Sequence, residues 1–137
     1  MSSRVAILCR LGDSAREAAS GFVAQLGLQP VLAPRQQGGA SSLDALDGLR
    51  GADYAVVMLS GEELSPSPRP ALLLEIGFLV GALGRGRLCF LTEGKAEAVP
   101  ELGAITRLSM DDAGVWRLLL AREMKRAGLE IDLNRAL

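Results

Sequence analysis

"DYAVVMLS", residues 53–60, decides the fold. From Ala55 to Leu59 it is unbroken apolar, and it stops at Ser60-Gly61. A strand with one wet face alternates polar and apolar residues. One covered on both faces reads as a continuous apolar run, the mark of a central strand in a parallel sheet. The sequence around it should therefore hold further strands, with helices between them.

Working outward, the expected elements appear. "RVAIL" (4–8) is a short apolar run and a candidate buried strand. "DSAREAASGFVAQLG" (13–27) reads as a helix. Asp13 or Ser14 can cap it, Ser14 and Glu17 have the spacing of a capping box, and Gly27 stops it. Ala18, Phe22 and Leu26 form its core-facing stripe. "QPVLA" (29–33) is a second strand, and the polar loop "PRQQGGASS" (34–42) leads to a short helix around Leu43, Leu46 and Leu49. After the central strand, "GEELSPSPRP" (61–70) is a loop whose three prolines forbid regular structure until a helix begins near Pro70.

That helix runs to about residue 84. "RLCFLT" (87–92) and "ITRLSM" (105–110) are the fourth and fifth strands. Asp111 and Asp112 are placed to cap a last helix, roughly 113–127, ended by Gly128. Strand and helix alternate throughout, so the chain is α/β: one domain over 1–137, a doubly wound, flavodoxin-like sheet of five parallel strands in the order 2-1-3-4-5. In that order strands 1 and 4 flank strand 3 and lie roughly 9–10 Å apart, too far for a Cys9–Cys89 disulfide.

Composition narrows the chemistry. Hydrophobic residues make up 49 % of the chain and the net charge is −1, so there is no basic footprint for nucleic acid. The basic residues Arg117, Arg122, Lys125 and Arg126 suit the end of a helix and its dipole. No run approaches the ~18 apolar residues of a membrane span, and "VAIL" is too short for a signal-peptide core. A cytoplasmic protein with reduced cysteines is expected. There is no histidine, which removes Ser-His-Asp and Cys-His nucleophiles and imidazole-based metal sites. No metal is expected.

In open parallel sheets ligands bind at the carboxyl ends of the strands, at the switch point between strands 1 and 3. The segments converging there are "CRLGDS" (9–14), "RQQGGASS" (35–42), "SGEELSPSPRP" (60–70) and the start of the next helix. Their glycines, hydroxyls and arginines suit phosphate and ribose. There is no P-loop and no G-x-G-x-x-G, and the end of strand 3 holds Ser60-Gly61 where a phospho-receiver needs aspartate.

One residue stands out. "LLLEIGFLVGALG" (72–84) is aliphatic and glycine apart from Phe78 and a single carboxylate, Glu75. On a helix Glu75 shares a face with Phe78, Leu79 and Ala82, while Gly77, Gly81 and Gly84 make a flat face open to close backbone approach. The pattern leaves open a partly exposed acid favoured by the helix N-terminus, a satisfied structural acid, or a working group.

"RPALLLEIGFLVGALGRGRL" (69–88) resembles the characteristic helix of bacterial TIR-like, predicted nucleotide-binding domains, in which an arginine and a polar pair precede an apolar run, Glu-x-Gly and an aromatic. "GLQPVLAPRQQGGASSLDAL" (27–46), "ADYAVVMLS" (52–60) and "DDAGVWRLLLAREMKRAGLEIDLNRAL" (111–137) extend the resemblance over nearly the whole chain. It departs from the family at Pro70-Ala71, where the polar pair belongs, and in "CRLGDS".

The resemblance implies a TIR fold and a glycohydrolase that cleaves NAD⁺, as substrate rather than cofactor, in antiphage defence. It implies that Glu75 is catalytic. It further implies self-assembly with other TIR domains and an attached or associated cyclic-nucleotide sensor. Position in the fold adds Arg10, Gly12, Ser14, Ser60 and Arg69 as candidate contacts to the nucleotide, with Phe78 packed nearby. Nicotinamide on ribose is already a cationic leaving group, so the barrier is positive charge developing on the sugar, which one fixed carboxylate can stabilise or attack. That chemistry needs neither histidine nor metal. An inactive binding or assembly module is the alternative reading, and a nucleoside deoxyribosyltransferase, which also uses a glutamate, is a third.

Overall fold

The computed structural model describes residues 3–34, 43–64, 68–94, 102–103, 105–111 and 113–136. The strands are β1 (Arg4–Cys9), β2 (Gln29–Leu32), β3 (Tyr54–Ser60), β4 (Leu88–Glu93) and β5 (Thr106–Ser109). The helices are α1 (Asp13–Gln25), α2 (Leu43–Asp47), α3 (Pro70–Leu83) and α4 (Val115–Arg126). All pairings are parallel and the order is β2-β1-β3-β4-β5, the doubly wound sheet that strand–helix alternation predicts.

Strand parity sorts the core into two layers, because successive side chains leave a strand on opposite faces. Val5 and Ile7 of β1, Tyr54, Val56 and Met58 of β3, and Cys89 and Leu91 of β4 pack against α1 and α4. The intervening residues, Ala6, Leu8, Ala55, Val57, Leu59, Leu88 and Phe90, pack against α2 and α3. β3 is buried along its length up to Ser60, as its apolar run requires. Cys9 and Cys89 pair with Met58 and Val56 on opposite edges of β3, and neither is in a disulfide.

Helix α1 buries Ala19, Phe22 and Val23, and its C-cap Leu26 is buried with them, while Ala18 is only half-buried, so the stripe is wider than the expected Ala18-Phe22-Leu26 line. Phe22 meets Trp116 of α4 edge to face, with centroids 5.6 Å apart and the planes at 71°. α1 ends at Gly27 (φ 83°) and α4 at Gly128 (φ 104°), left-handed positions where a side chain would be strained.

Several local expectations are corrected. Gly12, with extended backbone, is the N-cap of α1, and no side-chain cap bond forms. Ser14 is thereby inside the first turn, too late for the capping role. The loop after β3 is not wholly irregular, since Gly61–Leu64 makes a 3₁₀ turn before the prolines. The N-cap of α4 is the left-handed Gly114; Asp111 Oδ1 accepts from the Gly114 N–H at 3.0 Å, one turn earlier than a helix cap would. Asp112 lies outside the described residues. Arg117 sits at the start of α4, stacked over the Trp116 ring at 4.8 Å, and only Lys125 and Arg126 occupy the last turn. In α3, Ala82 faces solvent and Gly77 and Gly81 are exposed, with nothing within 4 Å of where a Cβ would stand. The glycine face therefore meets no described backbone.

Candidate functional site

The site lies at the carboxyl end of the sheet, where β1 and β3 finish and α3 begins. The β1–β3 ladder continues one residue past β1, with the Arg10 N–H donating to the Met58 carbonyl at 2.7 Å. Parity then fixes the direction of the side chain. Ala6 and Leu8 face α3, and Arg10 follows them.

Helix α3 starts at Pro70, whose missing N–H costs nothing in a first turn. Its buried face is Leu72, Glu75, Ile76 and Leu79. Glu75 is only 1 % exposed, which excludes the partly exposed acid left open by the pattern. A carboxylate so placed must be compensated, because an unpaired buried charge costs several kcal/mol. Arg10 contributes to that compensation: its Nη1 lies 3.4 Å from Glu75 Oε2. The side chain of Arg10 is itself 9 % exposed.

The same guanidinium holds a second carboxylate. Arg10 Nε donates to Glu63 Oε1 at 2.7 Å, a short charge-assisted contact. Glu63 is fixed in turn by the 3₁₀ turn that carries it, where its Oε2 accepts from the backbone N–H of Ser60 at 3.3 Å. This is half of a capping box, with Ser60 at the start and glutamate three residues on. The sequence signal was Ser60-x-x-Glu63, the same pattern as Ser14-x-x-Glu17, where no such bond forms. Glu63 was not among the residues expected at the site.

The other candidates are placed as follows. Ser60 continues the Tyr54-Val56-Met58 parity, so strand alternation turns its side chain toward the α1 and α4 face; its backbone N–H is what joins the Glu63 cluster. Gly12 and Ser14 are exposed at the start of α1, and no Cβ contact within 4 Å would oppose a ligand at Gly12. Arg69 is exposed at the N-cap of α3, where its side chain makes no cap bond. Phe78 lies one turn farther along α3 and is half-buried, with the Arg50 guanidinium 5.6 Å from its ring centre. The structure thus brings Arg10 and Glu75 into contact and leaves Gly12, Ser14 and Arg69 on the surrounding rim. The loop 35–42 lies outside the described residues.

Among the described residues no group of three or more His, Cys, Asp or Glu side chains is placed to hold a metal ion. A groove of about 600 Å³ lies at the opposite edge of the sheet, between Gly27, Lys125, Gly128 and Arg135. Another of about 370 Å³ runs beside α3 between Leu73, Gly77, Leu102 and Ile105. Neither includes Arg10, Glu63 or Glu75. Among the described residues no helix is long and apolar enough to cross a membrane.

Two comparisons with known proteins bear on this chain. The chain is 26 % identical over 148 aligned positions to a protein of Escherichia coli K12 named "Uncharacterized protein YuaY". The match covers all of this chain and 50 % of the relative, so the chain spans about half the length of that protein. The family described as "CAP12/Pycsar effector protein, TIR domain" matches residues 7–112, which run from within β1 to past β5 and include every residue of the Arg10–Glu63–Glu75 cluster. With that match over most of its length, the chain belongs to the TIR-domain family of CAP12/Pycsar effectors.

Proposed function

We propose that this domain is an NAD⁺ glycohydrolase acting as the effector of an antiphage response, with Glu75 as its catalytic carboxylate. The observation that carries the reading is a buried acid on an otherwise apolar helix, at the ligand edge of the sheet, held by an arginine. The bond between ribose C1′ and the nicotinamide nitrogen breaks, and its electron pair leaves with neutral nicotinamide. Glu75 stabilises the cationic sugar or bonds to it, and water completes the reaction to give ADP-ribose and a proton.

Glu75 is covered in this conformation, so the groups over it have to open before the sugar can approach, with Arg10 keeping its longer contact to the carboxylate. The guanidinium also suits the NAD⁺ pyrophosphate, since phosphate takes the same planar fork of donors as carboxylate. Gly12, Ser14, Ser60 and Arg69 surround the nucleotide in this reading, and Phe78 supports the helix beneath Glu75. The domain acts in the cytoplasm, becomes active when copies assemble, and is governed by a cyclic-nucleotide-sensing partner; membership of the Pycsar effector family supports this last part.

The experiment is nicotinamide release from NAD⁺ by dilute protein and by protein clustered on a scaffold, with nucleosides assayed beside it. Release on clustering supports the reading. Cleavage of nucleosides instead would indicate a deoxyribosyltransferase-type enzyme. A second reading, an inactive nucleotide-binding or assembly module, is favoured by Pro70-Ala71 at the start of α3, where the family's polar pair is replaced. It expects NAD⁺ binding or assembly with no turnover.

A further inference from the structure

We infer that Glu63 is a positioning residue for the reaction: it draws the Arg10 guanidinium away from Glu75 and so keeps the Glu75 charge available to the substrate. This rests on Glu75 being the working carboxylate. Two like charges share one guanidinium here, and the sharing is unequal. Arg10 Nε is 2.7 Å from Glu63, whereas Nη1 is 3.4 Å from Glu75. Glu63 is fixed from its other oxygen by the Ser60 N–H, and Arg10 is fixed from below by its backbone bond to Met58. Both anchors are backbone groups at the end of the central strand, so the offset is built into the sheet edge.

The balance has a chemical consequence. A carboxylate closed into a short, charge-assisted pair with arginine has its charge largely answered. It then does less for a cationic sugar, because only interactions that strengthen in the transition state accelerate the reaction. A carboxylate held at longer range is still compensated enough to stay buried, yet keeps charge to offer. Glu63 sets which of these Glu75 is. Without the negative charge at Glu63, Glu75 is the other anion paired with the guanidinium among the described residues, and the pair closes.

Glu63→Gln is the test, because glutamine keeps an oxygen for the Ser60 N–H and so preserves the turn while removing the charge. In the crystal structure of the variant, Arg10 should move onto Glu75, shortening the 3.4 Å contact to about 2.8 Å. In clustered protein turning over NAD⁺, kcat should fall about tenfold with KM changed less than about twofold, the signature of an interaction used in the transition state. Glu62→Gln, the same charge change at the exposed neighbouring position, should leave both constants unchanged. An Arg10 that stays in place in the variant structure overturns the inference. So does an unchanged kcat, or an equal loss in Glu62→Gln. Absence of NAD⁺ cleavage by wild-type protein would defeat the proposed function instead, and the crystallographic arm would still decide whether Glu63 holds Arg10 off Glu75.

Discussion

Arg10 and Glu75, 65 positions apart in sequence, meet at 3.4 Å at the carboxyl edge of the sheet, with the glutamate 1 % exposed. The contact joins the end of β1 to the second turn of α3 across the sheet. The contact is structural, and under the proposed function it also bears on catalysis; the two roles can be separated by measurement.

Removing the cation takes from two carboxylates, one of them buried, the charge that Arg10 sets against them. Arg10→Ala should destabilise the fold by about 3–5 kcal/mol, the cost of breaking a buried pair from one side. Glu75→Gln should cost much less, because Arg10 retains Glu63 and glutamine keeps a hydrogen-bonding oxygen. Urea unfolding of the two variants beside wild type checks the order, and equal destabilisation would contradict it.

The two-layer core predicts a large loss at Phe22. It ties α1 to α4 through its edge-on contact with Trp116. Phe22→Ala should cost about 3–5 kcal/mol as a cavity-forming substitution. Trp116 is the only tryptophan, so its emission reports the change directly. It should shift to longer wavelength as the ring loses its cover.

Thiol chemistry should divide the two cysteines. Burial pushes the Cys89 thiol up to about 12, outweighing a hydrogen bond with Tyr54 that lowers it, and the Glu123 charge pushes the same way as burial. Cys9 is half-buried at the sheet edge. A thiol reagent at pH 8 should modify Cys9 in the native protein and reach Cys89 only in denaturant.

The same burial predicts loss of stability in base. Tyr54 is also pushed well above its ordinary range, chiefly by burial and then by neighbouring Cys89. Both groups hold their protons longer in the folded state than in the unfolded chain. The unfolded state therefore binds fewer protons as pH rises, and stability falls with pH. It should be complete below about pH 9, where the unfolded thiol titrates, and decline toward 12. Unfolding curves across that window check the sign. Cys89→Ala, which removes one of the two groups, should flatten the decline.

The architecture was legible because strand parity and continuous apolar runs are sequence properties. Ala55 to Leu59 announced a central strand, and the alternation of helices around it fixed the sheet order. Glu75 was legible as a single acid in an apolar helix, but not its partner, since a contact across 65 positions leaves no local signature. Glu63 had a local signature, Ser60-x-x-Glu63, hidden inside a segment read as a proline-bound loop. The identical spacing at Ser14 and Glu17 made no cap, because Gly12 took the N-cap and pulled Ser14 into the helix. Capping residues compete for one position over a residue or two, and sequence spacing alone does not choose between them.

The most direct test of the central claim is nicotinamide release from NAD⁺ by clustered wild-type protein and clustered Glu75→Gln, with circular dichroism establishing that both are folded. Wild type should turn over, and the variant should lose activity by a factor on the order of 10³, the scale of removing one charge-stabilising group from a transition state. A folded Glu75→Gln protein that cleaves NAD⁺ at the wild-type rate would contradict the account.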